Sequence, residues 1–226
     1  ERCRDLGYTA FKLKIGFGDD TDLRNLKAIA DNLLGNEEMM ADANQGWSVE
    51  KTIKILPKLA AFPLKWLEEP IIATSPASAW QKIQLDSPIP LAAGENIMGT
   101  ENFNNAISHG QLDIIQPDIC KWGGISGNLP VIKNILKSGA RYCPHYLGGG
   151  IGLAASAHLL AAVGGDGLLE IDSNINPLRE DLFVPKLTYG KIDIGNSVGI
   201  GISDQHYQDF LSVHSKIITM NIELTK

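Results

Sequence analysis

The sequence predicts an α/β fold built as a parallel β/α barrel, and three observations carry that expectation. Apolar segments suited to buried strands centre near Leu13, Met40, Trp66, Leu91, Ile114, Tyr142 and Leu169, at steps of 27, 26, 25, 23, 28 and 27 residues. Each step is filled by a helical pattern, and strands alternating with helices of that length require parallel crossovers, with helices covering the sheet. Nearly every apolar segment ends in an ionisable residue, and the carboxyl ends of barrel strands are where such folds build their sites. Seven strand candidates make an eight-stranded TIM-type barrel lacking its first strand, a (β/α)7β arrangement. A Rossmann sheet fits less well. No glycine-rich phosphate loop follows an early strand, and GGGIG at Gly148–Gly152 lacks the GxGxxG spacing and the distant acid.

Taken in order, Glu1 to Leu6 reads as the end of a helix closed by Gly7, a residue suited to the left-handed conformation that follows many helices. Thr9 to Ile15 (TAFKLKI) alternates apolar and basic residues and breaks at Gly16, which puts Lys12 and Lys14 on one face of a strand. From Asp22 onward, Leu23, Leu26, Ile29, Ala30, Leu33 and Leu34 recur at helical spacing up to Gly35. The unit then repeats: MMADAN ends a strand at Asp42, WLEEP at Glu68 and Glu69 before Pro70, and IPLAAGEN at Glu95. The period stops after Ile171. Residues 178–202 read as loops and short strands rich in Gly and Pro, Asp204 to Ser212 as a last helix, and Ile217 to Leu224 as an alternating tail. The expected organisation is a barrel over residues 1–186 followed by a C-terminal segment over 187–226.

Composition narrows the function classes. At 226 residues, with 44% hydrophobic and 20% charged residues, the chain suits one globular domain with a substantial core. A net charge of −6 disfavours nucleic acid as a partner. No apolar run approaches the roughly 20 residues needed to span a bilayer, so no membrane partner is expected. ERCRDLGY does not show the basic, apolar and small-residue succession of a signal peptide, although the chain does not start with Met. Cys3, Cys120 and Cys143 are odd in number and widely spaced, which reads as reduced thiols in a cytoplasmic protein.

The strand ends carry Lys12 and Lys14, Asp42 and Asn44, Glu68 and Glu69, Glu95, Asp118 and Lys121, His145, and Glu170. A single acid at such a position is usually a helix cap or half of a surface ion pair. Seven successive ends of this kind point to a site, because uncompensated buried ions cost several kcal/mol each. Asp42, Glu68 and Glu95 come from adjacent strands about 4.8 Å apart and can converge on one cation. Oxygen ligands without Cys or clustered His select a hard ion, Mg²⁺ or its substitute Mn²⁺. The alternative is a cation-free network in which Lys12, Lys14 and Lys121 neutralise the acids. Asn44 is a candidate substrate contact or a turn residue, and His109 and His158 read as structural.

FKLKIG, the Asp of DANQGW, the first Glu of WLEEP, the Glu of GEN, PDICKWGG, the His of PHYLGG and the Glu of LLEID together resemble the mandelate racemase-like branch of the enolase superfamily. The resemblance covers about residues 1 to 201. It implies that Asp42, Glu68 and Glu95 ligate Mg²⁺ and that Lys14 is a base, its pKa held down by Lys12 beside it. Asp118 and His145 would form a dyad on the other face of the substrate, and Glu170 would hydrogen-bond the substrate carboxylate as it becomes an enediolate. A lysine in place of Asp118 would mark the muconate lactonizing-like branch, so this position favours the racemase-like arrangement. The implied reaction is abstraction of the proton alpha to a carboxylate, leading to dehydration of a sugar acid or to racemisation of a 2-hydroxy acid. A barrel kept as a non-catalytic binding protein is the rival reading.

Such family members begin with an α+β capping domain and the first barrel strand, whose counterparts are missing from this sequence. The resemblance therefore implies a longer polypeptide or a partner segment, with the region from Leu187 to Ile202 running back toward the cap. Two unpaired sheet edges would favour association, and a homo-oligomer is expected.

Overall fold

A computed structural model describes residues 1–183 and 187–222, with side chains to residue 214. Six parallel strands lie side by side in chain order: β1 (Ala10–Lys14), β2 (Glu38–Asp42), β3 (Leu64–Glu68), β4 (Leu91–Ala93), β5 (Ile114–Ile115) and β6 (Arg141–Tyr142). A one-turn helix α1 (Arg2–Asp5) precedes them. Helices α2 (Asp19–Ala30), α3 (Val49–Leu59), α4 (Ala77–Asp86), α5 (Thr100–His109) and α6 (Gly124–Ser138) make the crossovers, and α7 (Gly150–Val163) follows β6. The six strand centres read from the sequence up to Tyr142 all fall within these strands.

Side-chain alternation sorts the sheet into two faces. Leu13, Met39, Ala41, Leu67, Leu91, Ala93, Ile115 and Tyr142 pack outward against the helices, with Leu26, Ile55, Leu59, Ile83, Phe103 and Ile132 on the helical side. The inward face carries a separate cluster of Met40, Trp66, Ala92, Ile114 and Cys143, with Ala10 and Leu168 at its border. That cluster forms an apolar floor inside the curved sheet. Two residues further along, every strand but β4, which has Gly94 there, and the 168–172 segment present Lys12, Asp42, Glu68, Gln116, His145 and Glu170 inward. Period 2 thus converts an apolar layer into a charged one within a rise of about 7 Å.

The expected seventh strand near Leu169 is not formed as a ladder. The segment 168–172 runs alongside β6 but is tied to it by a Glu170 amide donating to the Pro144 carbonyl at 3.4 Å and a Leu168 amide to Cys143 Sγ at 3.4 Å. The Arg141 and Cys143 amides donate to Asp113 and Ile115 on the other side, so the donors due to face this segment belong to residue 142 and, at the level of Glu170, residue 144. That residue is proline, with no N–H to give. Glu170 still reaches the inward face beside His145.

Gly94 shows how closely the strands approach. A Cβ there would lie 2.4 Å from the Gln116 nitrogen and 2.5 Å from its carbonyl carbon, and φ is +156°. These are backbone atoms that cannot yield as a side chain would. Gly94→Ala is expected to cost about 2–4 kcal/mol and to move Glu95, measured as a lowered urea midpoint.

After α7 the chain forms α8 (Pro177–Glu180), a two-stranded antiparallel pair β7 (Leu187–Thr188) and β8 (Lys191–Ile192), and α9 (Asp204–Ile222). The turn of this pair packs on the beginning of the chain: Gly190 donates its amide to the Gly7 carbonyl at 2.9 Å. His206 Nε2 meets the Asp181 carbonyl at 2.6 Å, and His214 Nε2 meets Asp181 Oδ2 at 3.0 Å, which docks α9 onto the residues after α8. The last helix, expected over Asp204–Ser212, continues through the start of the alternating tail to Ile222, and Leu224 lies outside the described residues. No described helix is long and apolar enough to cross a membrane.

Candidate active site

The parallel register brings the charged layer together. Lys14 is opposite Asp42, and Asp42 is opposite Glu68. Lys12 Nζ donates to Glu68 Oε1 and Oε2 at 2.7 and 2.8 Å, lies 2.8 Å from Glu170 Oε1 and stands 3.8 Å from Asp42 Oδ2. Lys14 Nζ donates to Asp42 Oδ2, and the Asn44 amide donates to Asp42 Oδ1 at 2.7 Å. From the other side, His145 Nδ1–H donates to Asp118 Oδ2 at 2.8 Å, and its Nε2 meets Glu95 Oε2. Asp118 Oδ1 accepts from the Cys120 and Lys121 amides at 2.7 and 3.2 Å, so the carboxylate that orients the imidazole is itself fixed. Lys121 Nζ lies 3.5 Å from Glu95 Oε1, and His145 Nε2 lies 3.8 Å from Glu170 Oε2.

Lys12, Lys14, Asp42, Glu68, Glu95, Asp118, His145 and Glu170 therefore form one network running from β1 across the mouth to the segment after β6. Asp42, Glu68 and His145 are each about 1% exposed, so the network's charges must be satisfied by one another. Asn44 takes the turn conformation. Its φ of +46° turns the chain out of the extended conformation, leaving its side chain exposed while its amide serves Asp42. Below the mouth, a cavity of about 490 Å³ opens between β1 and the 168–174 segment, lined by Tyr8, Lys12, Met40, Trp66, Gln116 and Glu170 among others.

The electrostatics follow from these contacts. Burial lowers the pKa of His145, but hydrogen bonds with Asp118 and Glu95 outweigh it and raise the imidazole to about 9. Burial raises Glu95, but its hydrogen bond with His145 outweighs that and brings the carboxyl down to about 2. Burial disfavours the charged form of Lys12, yet Glu68, Glu170 and Asp42 together push its pKa up. Lys14 corrects the sequence reading. Burial and Lys12 both lower it, as repulsion should, but the hydrogen bond and charge of Asp42 prevail and raise it.

Asn96 and Gln116 escaped the sequence reading, which has Glu69 only as a strand-end acid. Glu69, after Glu68, has φ +39° and is pushed up to about 7, first by burial and then by the charges of Glu95, Glu68 and Asp42, against a lowering hydrogen bond from Asn96. Asn96 Nδ2 joins Glu69 Oε2 at 2.8 Å to Glu95 Oε1 at 2.9 Å. Gln116 Nε2 donates to Glu68 Oε2 at 2.8 Å. Paired glutamates were visible in the sequence, whereas a neutral amide gave no signal to a search for ionisable strand ends.

Among the described residues, no group of three or more His, Cys, Asp or Glu side chains is arranged to hold a metal ion. Lysine ammoniums and the imidazole sit on the carboxylates. The donor chemistry nevertheless fits a hard divalent ion. Asp42, Glu68 and Glu95 supply carboxylate oxygens from successive strands, and the flexible lysine stems that cover Asp42 and Glu68 can rotate aside without backbone movement. Glu69 Oε1 and Glu170 Oε2 are buried there without a hydrogen-bond partner.

A family model described as enolase C-terminal domain-like matches residues 1–206. D-galactarolactone cycloisomerase from Agrobacterium fabrum is 32% identical over 206 residues, covering 87% of this chain and 54% of the relative. L-talarate/galactarate dehydratase from Salmonella typhimurium is 31% identical, covering 88% and 48%. Thus the chain spans about half the length of the curated relatives it matches. Among solved structures, a mandelate racemase/muconate lactonizing enzyme from Bordetella bronchiseptica superposes with a TM-score of 0.89 at 45% identity, covering 93% of this chain and 59% of that one. A racemase from Streptomyces coelicolor crystallised with bound magnesium gives a TM-score of 0.79 at 25% identity, covering 89% and 54%.

Proposed function

Because the chain belongs to the enolase C-terminal domain-like family, we propose that it supplies the catalytic barrel of a Mg²⁺-dependent enzyme that removes the α-proton of a sugar acid and expels a β-hydroxyl. The observation that carries this reading is the pair of proton-bearing groups at separate ends of one network: Lys14 on β1, and His145 hydrogen-bonded to Asp118 at 2.8 Å beyond β6. A lysine or histidine base combined with Mg²⁺ is a known pattern of this superfamily. Two relatives bearing the names of a galactarate dehydratase and a galactarolactone cycloisomerase support a hydroxylated acid as substrate.

The chemistry has a physical logic. A proton alpha to a carboxylate is weakly acidic, and its removal leaves a dianionic enediolate that must be stabilised where water is excluded. Mg²⁺, held by Asp42, Glu68 and Glu95, would supply a Lewis acid for that developing charge. With Asp42 committed to the cation, Lys14 loses the acceptor that keeps it protonated, and repulsion from Lys12 and burial then favour the free amine. Lys14 is the base in this reading. His145, protonated at neutral pH and oriented by Asp118, gives its proton to the departing hydroxyl. Glu170, between Lys12 and His145, would donate a hydrogen bond to the substrate carboxylate in its protonated form. Asn44, at the exposed mouth, can reach the distal hydroxyls. Racemisation of a 2-hydroxy acid uses the same two groups and is the second reading, favoured by their separation to the two sides of the mouth.

The barrel of this proposal spans residues 1–186, and 187–226 runs toward a capping domain on a longer polypeptide. Exposed Phe17, Ile72, Met98 and Leu147 on loops, and Ile125 in the first turn of α6, all at the charged end, support a covering partner there. The free outer edge of β1 supports association into homo-oligomers. The test is production of 2-keto acid from a library of sugar acids including galactarate, with Mg²⁺ or chelator, by this chain alone and fused to its upstream reading frame. The fused protein should form keto acid only with metal. If instead it exchanges the α-proton with deuterated solvent and yields no keto acid, dehydration is wrong and racemisation stands; neither activity would leave a binding barrel.

A further inference from the structure

We infer that Gln116 is a positioning residue for Glu68, gripping one oxygen of that carboxylate so that the other is presented to a divalent cation; the inference rests on the metal-site reading above. Glu68 is 1% exposed and its two oxygens are unequally served. Oε2 accepts from Gln116 Nε2 at 2.8 Å, Trp66 Nε1 at 3.2 Å and Lys12 Nζ at 2.8 Å, whereas Oε1 has Lys12 alone, at 2.7 Å. The neutral donors on Oε2 are fixed by the sheet. Trp66 lies two residues before Glu68 on the same face of β3, and the Gln116 amide donates to the Ala93 carbonyl at 2.9 Å. Gly94, packed on the backbone of Gln116 with no room for a Cβ, holds that register. Lys12 is different in kind, since its long stem can leave Oε1 while the other two donors stay.

The amide's orientation is dictated by Glu68. Gln116 is 3% exposed and its Oε1 has no hydrogen-bond partner among the described residues. Turning the amide over would set that oxygen against a carboxylate, so the side chain accepts one unmet acceptor in order to donate to Glu68. Outer partners of this sort orient a ligating carboxylate and typically change metal affinity ten- to a hundredfold.

The test is Mn²⁺ binding to the 226-residue chain, followed by electron paramagnetic resonance of the free ion, with Mg²⁺ competition and thermal melting alongside. Gln116→Met keeps length and bulk but cannot donate. It should weaken Mn²⁺ binding roughly ten- to a hundredfold with a cooperative melt retained. Equal affinity in wild type and Gln116→Met overturns the positioning role while leaving the metal site standing. A wild type that binds no Mn²⁺, with Asp42→Asn indistinguishable from it, overturns the metal reading and this inference together. Should Gln116→Met fail to fold, Gln116→Leu carries the test, since it too removes the donor to Glu68 Oε2; unchanged affinity there overturns the inference.

Discussion

Asp42→Asn should lower turnover of a sugar acid by at least about a thousandfold while the protein still folds cooperatively. The magnitude follows from the several kcal/mol of charge stabilisation a catalytic cation supplies, at 1.36 kcal/mol per factor of ten. Asp42 is the residue to change because one carboxylate serves two ends: it would ligate the ion, and it is the acceptor that sets the protonation of Lys14. Folding should tolerate the change. Asparagine retains an oxygen for the Asn44 amide, and the Lys14 side chain is 41% exposed, so its freed ammonium can turn to water. The measurement is keto acid formation beside thermal melting, repeated with chelator in the wild type. Full activity in the variant, or wild-type activity indifferent to chelator, would sink the metal assignment. A lost melt with lost activity would instead make Asp42 a structural ion-pair partner.

The periodicity in the sequence located six strands and the helices between them because the same alternation that buries Met40 and Trp66 must present Asp42 and Glu68 two residues on. The seventh strand does not pair as a ladder, and one of the donors due to face it is missing because residue 144 is proline, which a count of apolar residues does not register. The candidate site was legible as a set of strand ends, and the fold does bring Lys12, Lys14, Asp42, Glu68, Glu95, Asp118, His145 and Glu170 into one network. Asn44 was read as a substrate contact or a turn residue, and the positive φ of +46° two residues past β2 gives it the turn conformation. The direction of the Lys14 shift also escaped. Sequence spacing shows that Lys12 is near, but the tighter contact with Asp42 exists only once β1 and β2 pair in register. Gln116 and Asn96 are uncharged, and only their contacts with Glu68, Glu69 and Glu95 reveal them.

Lys14→Ala and His145→Asn should separate the two sides of the reaction. In deuterated solvent, each base exchanges the α-proton of the substrate configuration that presents that proton to its own side of the planar intermediate, and general bases of this kind contribute about 10²- to 10⁴-fold. Lys14→Ala should therefore lose exchange of one configuration by that factor while keeping the other, and His145→Asn should show the reverse. Dehydration adds an asymmetry: a protonated His145 must serve the leaving hydroxyl, so His145→Asn should abolish keto acid formation while exchange by Lys14 persists. The pH dependences of the two groups run in opposite directions. Burial lowers the His145 imidazole, and with Glu95 given to the cation Asp118 and Glu170 still raise it, so the acid it offers is lost as pH rises. Lys14 must act unprotonated, so its exchange should grow as pH rises. Proton NMR of both epimers, taken across rising pH in both variants, reads these outcomes directly. Equal loss of both exchanges in each variant would mean that the lysine and the dyad act as one unit from one side, and the two-sided mechanism would have to be abandoned.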